Sequence, residues 1–257
     1  MMRSLRNAVV AAALVLATPF AANAAGEVVK PPAQDWSFGG LFGTFDRASA
    51  QRGFQVYKEV CAACHAMKQI SYRNLAEIGL SEDEIRAIAA EVQVQDGPND
   101  DGEMFERPGR ASDRFRSPFP NERAARAVNN GAYPVDLSLI IKARGGGADY
   151  LYALLTGYRD EPPPGVPVMD GMHYNDYFPG HWIAMGRPLN DDQIVYADGT
   201  PATTSQMARD VTTFMAWAAE PELEQRRAMG VRVILFLTIL AGMTYAVKRK
   251  IWADLKH

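Results

Sequence analysis

The chain holds two cysteines, three residues apart and followed at once by a histidine: Cys61-Ala62-Ala63-Cys64-His65. Two cysteines cannot frame a disulfide-stapled fold. A structural zinc site needs four ligands and finds no second cysteine pair, and a thioredoxin-like redox pair would leave His65 without a task. The spacing is that of covalent c-type haem attachment. On a helix, residues i, i+3 and i+4 share a face, so two thiols can join the vinyl groups of a porphyrin while the imidazole lies under the iron. A chain that closes around so large a group needs a substantial core, and 257 residues with 47% apolar side chains supply one.

Two apolar stretches lie outside that core. Met1-Met2-Arg3-Ser4-Leu5-Arg6 precedes an apolar run from Ala8 to Phe20, and Ala22-Asn23-Ala24 follows with the small-x-small spacing of a secretory cleavage site. About 13 apolar residues fall short of the roughly 20 that span a bilayer, so residues 1–24 read as a signal peptide cleaved after Ala24. The second stretch, Gly230 to Val247, is broken only by Arg232 and ends on Lys248-Arg249-Lys250. As a helix it reaches about 27 Å, enough for a membrane core if Arg232 snorkels to the interface. The expected organisation is an exported haem-bearing body over 25–229, a single transmembrane anchor over 230–247, and a cytoplasmic tail over 248–257 held inside by its basic residues. Export also suits haem attachment of this kind.

The formal net charge is −3, and no Lys/Arg-rich block offers a nucleic-acid surface. Without the two terminal segments, residues 25–229 stand at −9, and the stretch from Glu77 to Glu106 has that same balance by itself, with Arg86 and ten acids before Arg107.

The body reads as mainly helical. Asp46 is placed to cap a helix carrying Phe54, Tyr57, Val60 and Cys61 on one face and ending near His65. Ser81-Glu82-Asp83-Glu84 is a capping box with Leu80 and Ile85 as its staple, opening a helix whose apolar face is Ile85, Ile88, Ala89 and Val92. A turn-rich loop, Asp96 to Gly102, leads into an irregular passage to Pro120, and Asn121 can cap a short helix through Val128. Asp149 to Thr156 reads as a helix stopped by Gly157 at C′. Pro162-Pro163-Pro164-Gly165 then opens a loop to about Leu189, long enough to suggest a functional reason. Residues 195–200 fit a small hairpin around Asp198-Gly199 or a plain exposed turn. Met207, Val211, Phe214, Met215 and Ala218 mark a packed helix that Pro221 ends.

The function of the iron depends on its sixth ligand: an open position suits small-ligand or peroxide chemistry, a thioether suits electron transfer. The long loop offers Met169, Met172, Met185, His173 and His181, and spacing does not separate these five.

Further blocks resemble a known family along nearly the whole mature chain: Met104-Phe105-Glu106-Arg107-Pro108-Gly109, Ala124-Ala125-Arg126-Ala127-Val128-Asn129-Asn130-Gly131-Ala132, Leu154-Leu155-Thr156-Gly157-Tyr158, Asn175-Asp176-Tyr177-Phe178-Pro179-Gly180 and Asp198-Gly199-Thr200-Pro201-Ala202-Thr203. With Cys-x-x-Cys-His and the C-terminal anchor, they resemble cytochrome c1 of the bacterial cytochrome bc1 complex. The resemblance implies a mainly α, cytochrome c-like domain with long irregular loops, a single C-terminal transmembrane helix and one covalent haem c. It implies Met185 as the sixth ligand opposite His65, Arg144 and Tyr150 at the haem propionates, and Asn129, Pro134 and Phe178 packed at the haem. Some bacterial relatives bridge a loop near the distal side with an extra cysteine pair. This chain has none, so packing and hydrogen bonds must hold its Met185 loop.

The resemblance further implies an electron-transfer subunit of the respiratory quinol:cytochrome c oxidoreductase in the bacterial inner membrane, with its haem domain periplasmic and no substrate bond made or broken on this chain. Its partners would be cytochrome b, the Rieske iron-sulfur protein as donor, and a soluble or membrane-tethered cytochrome c as acceptor. Two alternatives keep the haem: the electron-accepting subunit of a periplasmic dehydrogenase, and an enzyme or sensor with an open sixth site.

Overall fold

The computed structural model describes residues 29–253. The expected signal peptide and its cleavage point lie outside this range, as does the end of the tail. Among the described residues seven α-helices carry the fold: α1 (Arg47–Glu59), α2 (Glu82–Ala90), α3 (Glu122–Val128), α4 (Ile140–Ala143), α5 (Gly147–Thr156), α6 (Thr204–Ala219) and α7 (Leu223–Trp252). Long irregular segments join them.

The core is built on the crossing of α1 and α6, and Gly53 sets how close it is. A Cβ at Gly53 would lie 2.0 Å from the Asp210 carbonyl oxygen, so any larger residue would drive the helices apart. Around this contact the rings of Phe54, Tyr57, Phe115, Phe214 and Trp217 pack against one another, with Phe54 and Phe214 5.6 Å apart between centroids. Met207, Val211, Phe214, Met215 and Ala218 are all buried, as their spacing predicts. Their neighbour Asp210 is fully buried too, and Arg52 neutralises it with Nε at 2.9 Å and Nη2 at 3.0 Å while Ser49 Oγ donates at 2.7 Å. A buried carboxylate is tolerable only when paired and hydrogen-bonded in this way.

The caps follow the sequence closely. Asp46 caps α1, Asn121 caps α3, and Ser81 and Glu84 form the reciprocal box that starts α2, with Ile85 buried behind it. Helix α5 starts two residues before Asp149. Gly157 does end it, but at φ −92° and not in the left-handed conformation expected of a C′ glycine; the Tyr177 ring would lie 2.6 Å from a Cβ there, so packing requires the glycine.

Two small antiparallel ladders occupy segments read as irregular. β1 (Gln93–Asp96) pairs with β2 (Phe105–Pro108), Val94 facing Arg107, and the turn-rich loop is the tip of this hairpin. β3 (His173–Tyr174) pairs with β4 (Trp182–Ile183) inside the long proline-rich loop. Residues 195–200 form the plain exposed turn, closed by Gly199 N–H donating to the Tyr196 carbonyl. Pro221 separates α6 from α7, whose 30 residues contain the apolar run; α7 has a mean hydropathy of 1.8 in its most apolar window, none of which is buried by the described residues. The protein is membrane-anchored through this helix.

Candidate functional site

The attachment motif sits immediately after α1 and not on it. Val60 leaves helical geometry at φ −117°, and Cys61–Ala63 continue as a turn of 3₁₀ helix. The predicted α-helix to His65 thus ends at Glu59. The shared face survives because a 3₁₀ turn eclipses i and i+3, aligning Cys61 with Cys64, while His65 N–H donates to the Cys61 carbonyl at 2.9 Å. Cys64 is exposed, and burial pushes the Cys61 thiol up to about 12.

The imidazole of His65 is held by the irregular stretch after Pro134. Its Nδ1 lies 2.8 Å from the Val135 carbonyl. A carbonyl only accepts, so Nδ1 carries the proton and Nε2 keeps its lone pair, the tautomer that could ligate a metal through Nε2. Burial lowers the pKa of His65, which favours the same neutral ring. The two segments are stitched further by Leu137 N–H to the Ala66 carbonyl (2.8 Å), Lys68 N–H to Asp136 (3.0 Å) and Gln69 N–H to Ser138 Oγ (3.0 Å).

Met185, half-buried, follows β4 by two residues. Its carbonyl accepts from the Tyr158 hydroxyl at 3.0 Å. Burial pushes that hydroxyl well above the ordinary phenol range, so it remains a donor. Upstream, the fully buried Asn175 organises the loop: Nδ2 donates to the Leu154 carbonyl of α5 at 2.8 Å, and Oδ1 accepts from Tyr177 and Phe178 N–H at 3.0 and 3.1 Å. These bonds hold the loop without a disulfide. Of the rival candidates, Met169 is exposed, Met172 is half-buried, and His173 is exposed with Nε2 3.4 Å from where a Gly186 Cβ would be. His181 stacks on Tyr174 and places Nδ1 3.1 Å from the Asn175 carbonyl.

The named residues fall into two connected groups. Asn129 and Pro134 belong to the stretch that reaches His65 at Val135, and Asn130 of that stretch approaches Gly171 in the Met185 loop. Arg144 is exposed, and its charge partly offsets the burial that raises the pKa of Tyr150; Tyr150 in turn neighbours Tyr158 and so Met185. Phe178 is half-buried, its backbone fixed by Asn175. Sequence reasoning missed Val135, Asp136, Tyr158 and Asn175 as supports. Tyr158 and Asn175 stood inside blocks quoted for the resemblance, whereas Val135 acts through its backbone, which no side-chain pattern reveals. A cavity of about 390 Å³ lined by Tyr57, Ala62, Ala63, Tyr72, Phe115 and Glu91 brings the acidic stretch beside the attachment turn.

Paired thiols on one turn and an imidazole with a fixed tautomer fit a covalently attached haem. Residues 36–255 match the family model described as the Cytochrome C1 family. The chain belongs to the cytochrome c1 family. It is 49% identical over 267 residues to "Cytochrome c1" of Rhodospirillum rubrum, covering 98% of each chain, and 51% identical over 243 residues to "Cytochrome c1-2, heme protein, mitochondrial" of Solanum tuberosum, covering 95% of this chain and 93% of the relative. Against "Cytochrome b/c1" of Bradyrhizobium diazoefficiens it is 51% identical over 246 residues, and there it spans 36% of the longer relative. A cytochrome c1 is an electron-transfer protein, and its cofactor is haem c, whose attachment the Cys61 and Cys64 pair fits.

Proposed function

We propose that this cytochrome c1 works beside cytochrome b in a quinol:cytochrome c oxidoreductase, carrying single electrons from the Rieske iron-sulfur protein to a soluble or membrane-tethered cytochrome c. The His65 to Val135 hydrogen bond carries the reading, because it commits the imidazole to ligation through Nε2 next to the two thiols. Cys61 and Cys64 would hold the haem covalently, and His65 and Met185 would supply nitrogen and sulfur to its iron. When bound, the haem supplies an iron centre that changes by one electron.

The chain's own residues set the conditions for that change. Val135 orients the His65 ring and raises its basicity as a ligand. A thioether from Met185 favours the reduced state and raises the potential. Arg144 offers a fixed donor fork for a propionate with Tyr150 as a second donor, and Asn129, Pro134 and Phe178 would pack at the ring. The acidic stretch gives the head a negative field for a basic acceptor.

The head is proposed to face the periplasm of a bacterial inner membrane. Cleavage after Ala24 would leave it outside, and Lys248, Arg249 and Lys250 beyond the apolar run would hold the tail inside.

The decisive experiment purifies the complex in detergent, titrates its haems and repeats the titration for Met185→Leu. The expected result is co-purifying b-type haem and iron-sulfur protein, and a substituted c-type haem that stays attached but has a sharply lowered potential. An unchanged potential, or the same loss from Met169→Leu or Met172→Leu instead, would overturn Met185 as ligand. Absence of b-type haem would overturn the complex.

A further inference from the structure

The turn before α1 projects an apolar tip beside the start of the membrane helix. Its neck is closed by Thr44 N–H to the Ser37 carbonyl (3.0 Å) and by Gly39 N–H to the Trp36 carbonyl (2.8 Å). Above the neck the chain folds back so tightly that a Cβ on Gly43 would lie 2.0 Å from the Gly39 carbonyl oxygen. This extrudes Leu41 and Phe42, which are 69% and 78% exposed, although Phe38 and Phe45 of the same turn pack at a tilt with ring centroids 5.2 Å apart. From Trp36 to Phe45 the sequence carries no charged residue.

The turn is tied to α7. Arg227 Nη1 donates to the carbonyls of Phe38 (3.0 Å) and Gly43 (2.5 Å), and Glu224 accepts from Phe45 N–H at 2.8 Å and pairs with Arg47. Arg227 precedes Gly230, where the apolar run begins, by three residues, a rise of about 4.5 Å. The tip is therefore fastened within about one helical turn of the point where α7 becomes apolar.

We propose that Leu41 and Phe42 insert into the interfacial region of the bilayer on the head side, making a second lipid contact that fixes the tilt of the head relative to α7. An adjacent aliphatic and aromatic pair on an uncharged loop suits that interface, and a single helix alone would leave the head free to rock. The fastening of the tip beside the point where α7 becomes apolar favours lipid over a neighbouring subunit. The inference rests on α7 crossing the bilayer.

The test uses the haem-loaded complex reconstituted into phosphatidylcholine vesicles. With Cys61 and Cys64 consumed by the haem, Phe42→Cys provides the chain's reactive thiol for a nitroxide, and the unsubstituted complex supplies the labelling background. Accessibility to oxygen and to a water-soluble nickel chelate is compared with Val195→Cys on the 85% exposed turn and with Leu237→Cys in α7. The expected oxygen-to-nickel ratio at Phe42→Cys is several-fold above that at Val195→Cys and moves toward that at Leu237→Cys. An aqueous ratio equal to that at Val195→Cys overturns the proposal, as does a label shielded from both reagents, which would place the tip against a neighbouring subunit. An aqueous ratio at Leu237→Cys overturns the anchor and the proposal together.

Discussion

The Tyr158 hydroxyl donates to the backbone carbonyl of Met185 across 3.0 Å, joining a residue two positions beyond the end of α5 to the loop that would bring a thioether to the iron. The bond acts on the backbone, so it governs where the Met185 side chain starts and leaves its sulfur free. Tyr158 is itself fixed from the other side, its carbonyl accepting from Arg187 at 3.2 Å. Tyr158→Phe keeps the ring and removes the donor. The expected cost is about 1 kcal/mol of stability, with a looser sixth position. Carbon monoxide binding to the reduced holoprotein reads the second effect: wild type should resist it and the variant should bind measurably. Equal resistance in both would remove Tyr158 from the support of Met185.

Asn175 carries more of the loop. Three partners depend on its side chain, the Leu154 carbonyl and the N–H groups of Tyr177 and Phe178, and Asn175 is fully buried. Each of these hydrogen bonds is worth about 0.5–1.5 kcal/mol, so Asn175→Ala should lose roughly 2–4 kcal/mol. Denaturant unfolding of the holoprotein checks this, and a loss under about 1 kcal/mol would show that the hydrogen bonds re-form around water.

Much of this fold was legible because its signals are local. Ser81 and Glu84 announce their helix within four residues, and Met207 to Ala218 reveal a buried face by periodicity alone. The β1–β2 hairpin was not legible: its strands have four residues each with mixed burial, and the positions that pair, Val94 with Arg107, give no alternating apolar pattern. The break at Val60 was equally hidden, since α and 3₁₀ turns bring Cys61 and Cys64 to one side alike. At the site, Cys61, Cys64 and His65 stood out by type and spacing, whereas Met185 was set apart from Met169, Met172, His173 and His181 only by the resemblance. Their supports did not stand out, because Val135 uses a carbonyl that every residue possesses and Asn175 acts through contacts with α5 some twenty positions away.

Acid should loosen the base of that hairpin first. Arg107 pairs with Asp113 at 2.6 Å and also with Asp96, and its guanidinium brings Asp113 down to about 2, helped by the Arg110 N–H and opposed by partial burial. A carboxylate lowered on folding stabilises the folded state above its unfolded pKa, about 3.9. That contribution fades as pH falls from about 4 through about 2. Stability measured across this range should therefore drop in wild type and drop less in Asp113→Asn, whose stability at neutral pH should already be lower. Identical acid limbs in the two proteins would show that Asp113 is not linked to the transition.

The acidic stretch makes a kinetic prediction. Glu82 and Asp83 on α2 are largely exposed, with Arg86 their partner, and Glu91 at the end of that helix lines the cavity beside Ala62 and Ala63. A negative field so close to the attachment turn can steer a basic acceptor and raise its on-rate by about 10- to 1,000-fold at low salt. Glu82→Gln, Asp83→Asn and Glu84→Gln together remove three charges while preserving the fold, because Gln can still close the capping box on Ser81. The expected outcome is slower electron transfer to a basic cytochrome at low ionic strength and a flatter dependence on salt, the two proteins converging where screening is complete. Rates measured by stopped flow across ionic strength decide it. If the triple variant matched wild type in both rate and slope, these carboxylates would only solvate α2, and recognition of the acceptor would have to lie on another part of the head.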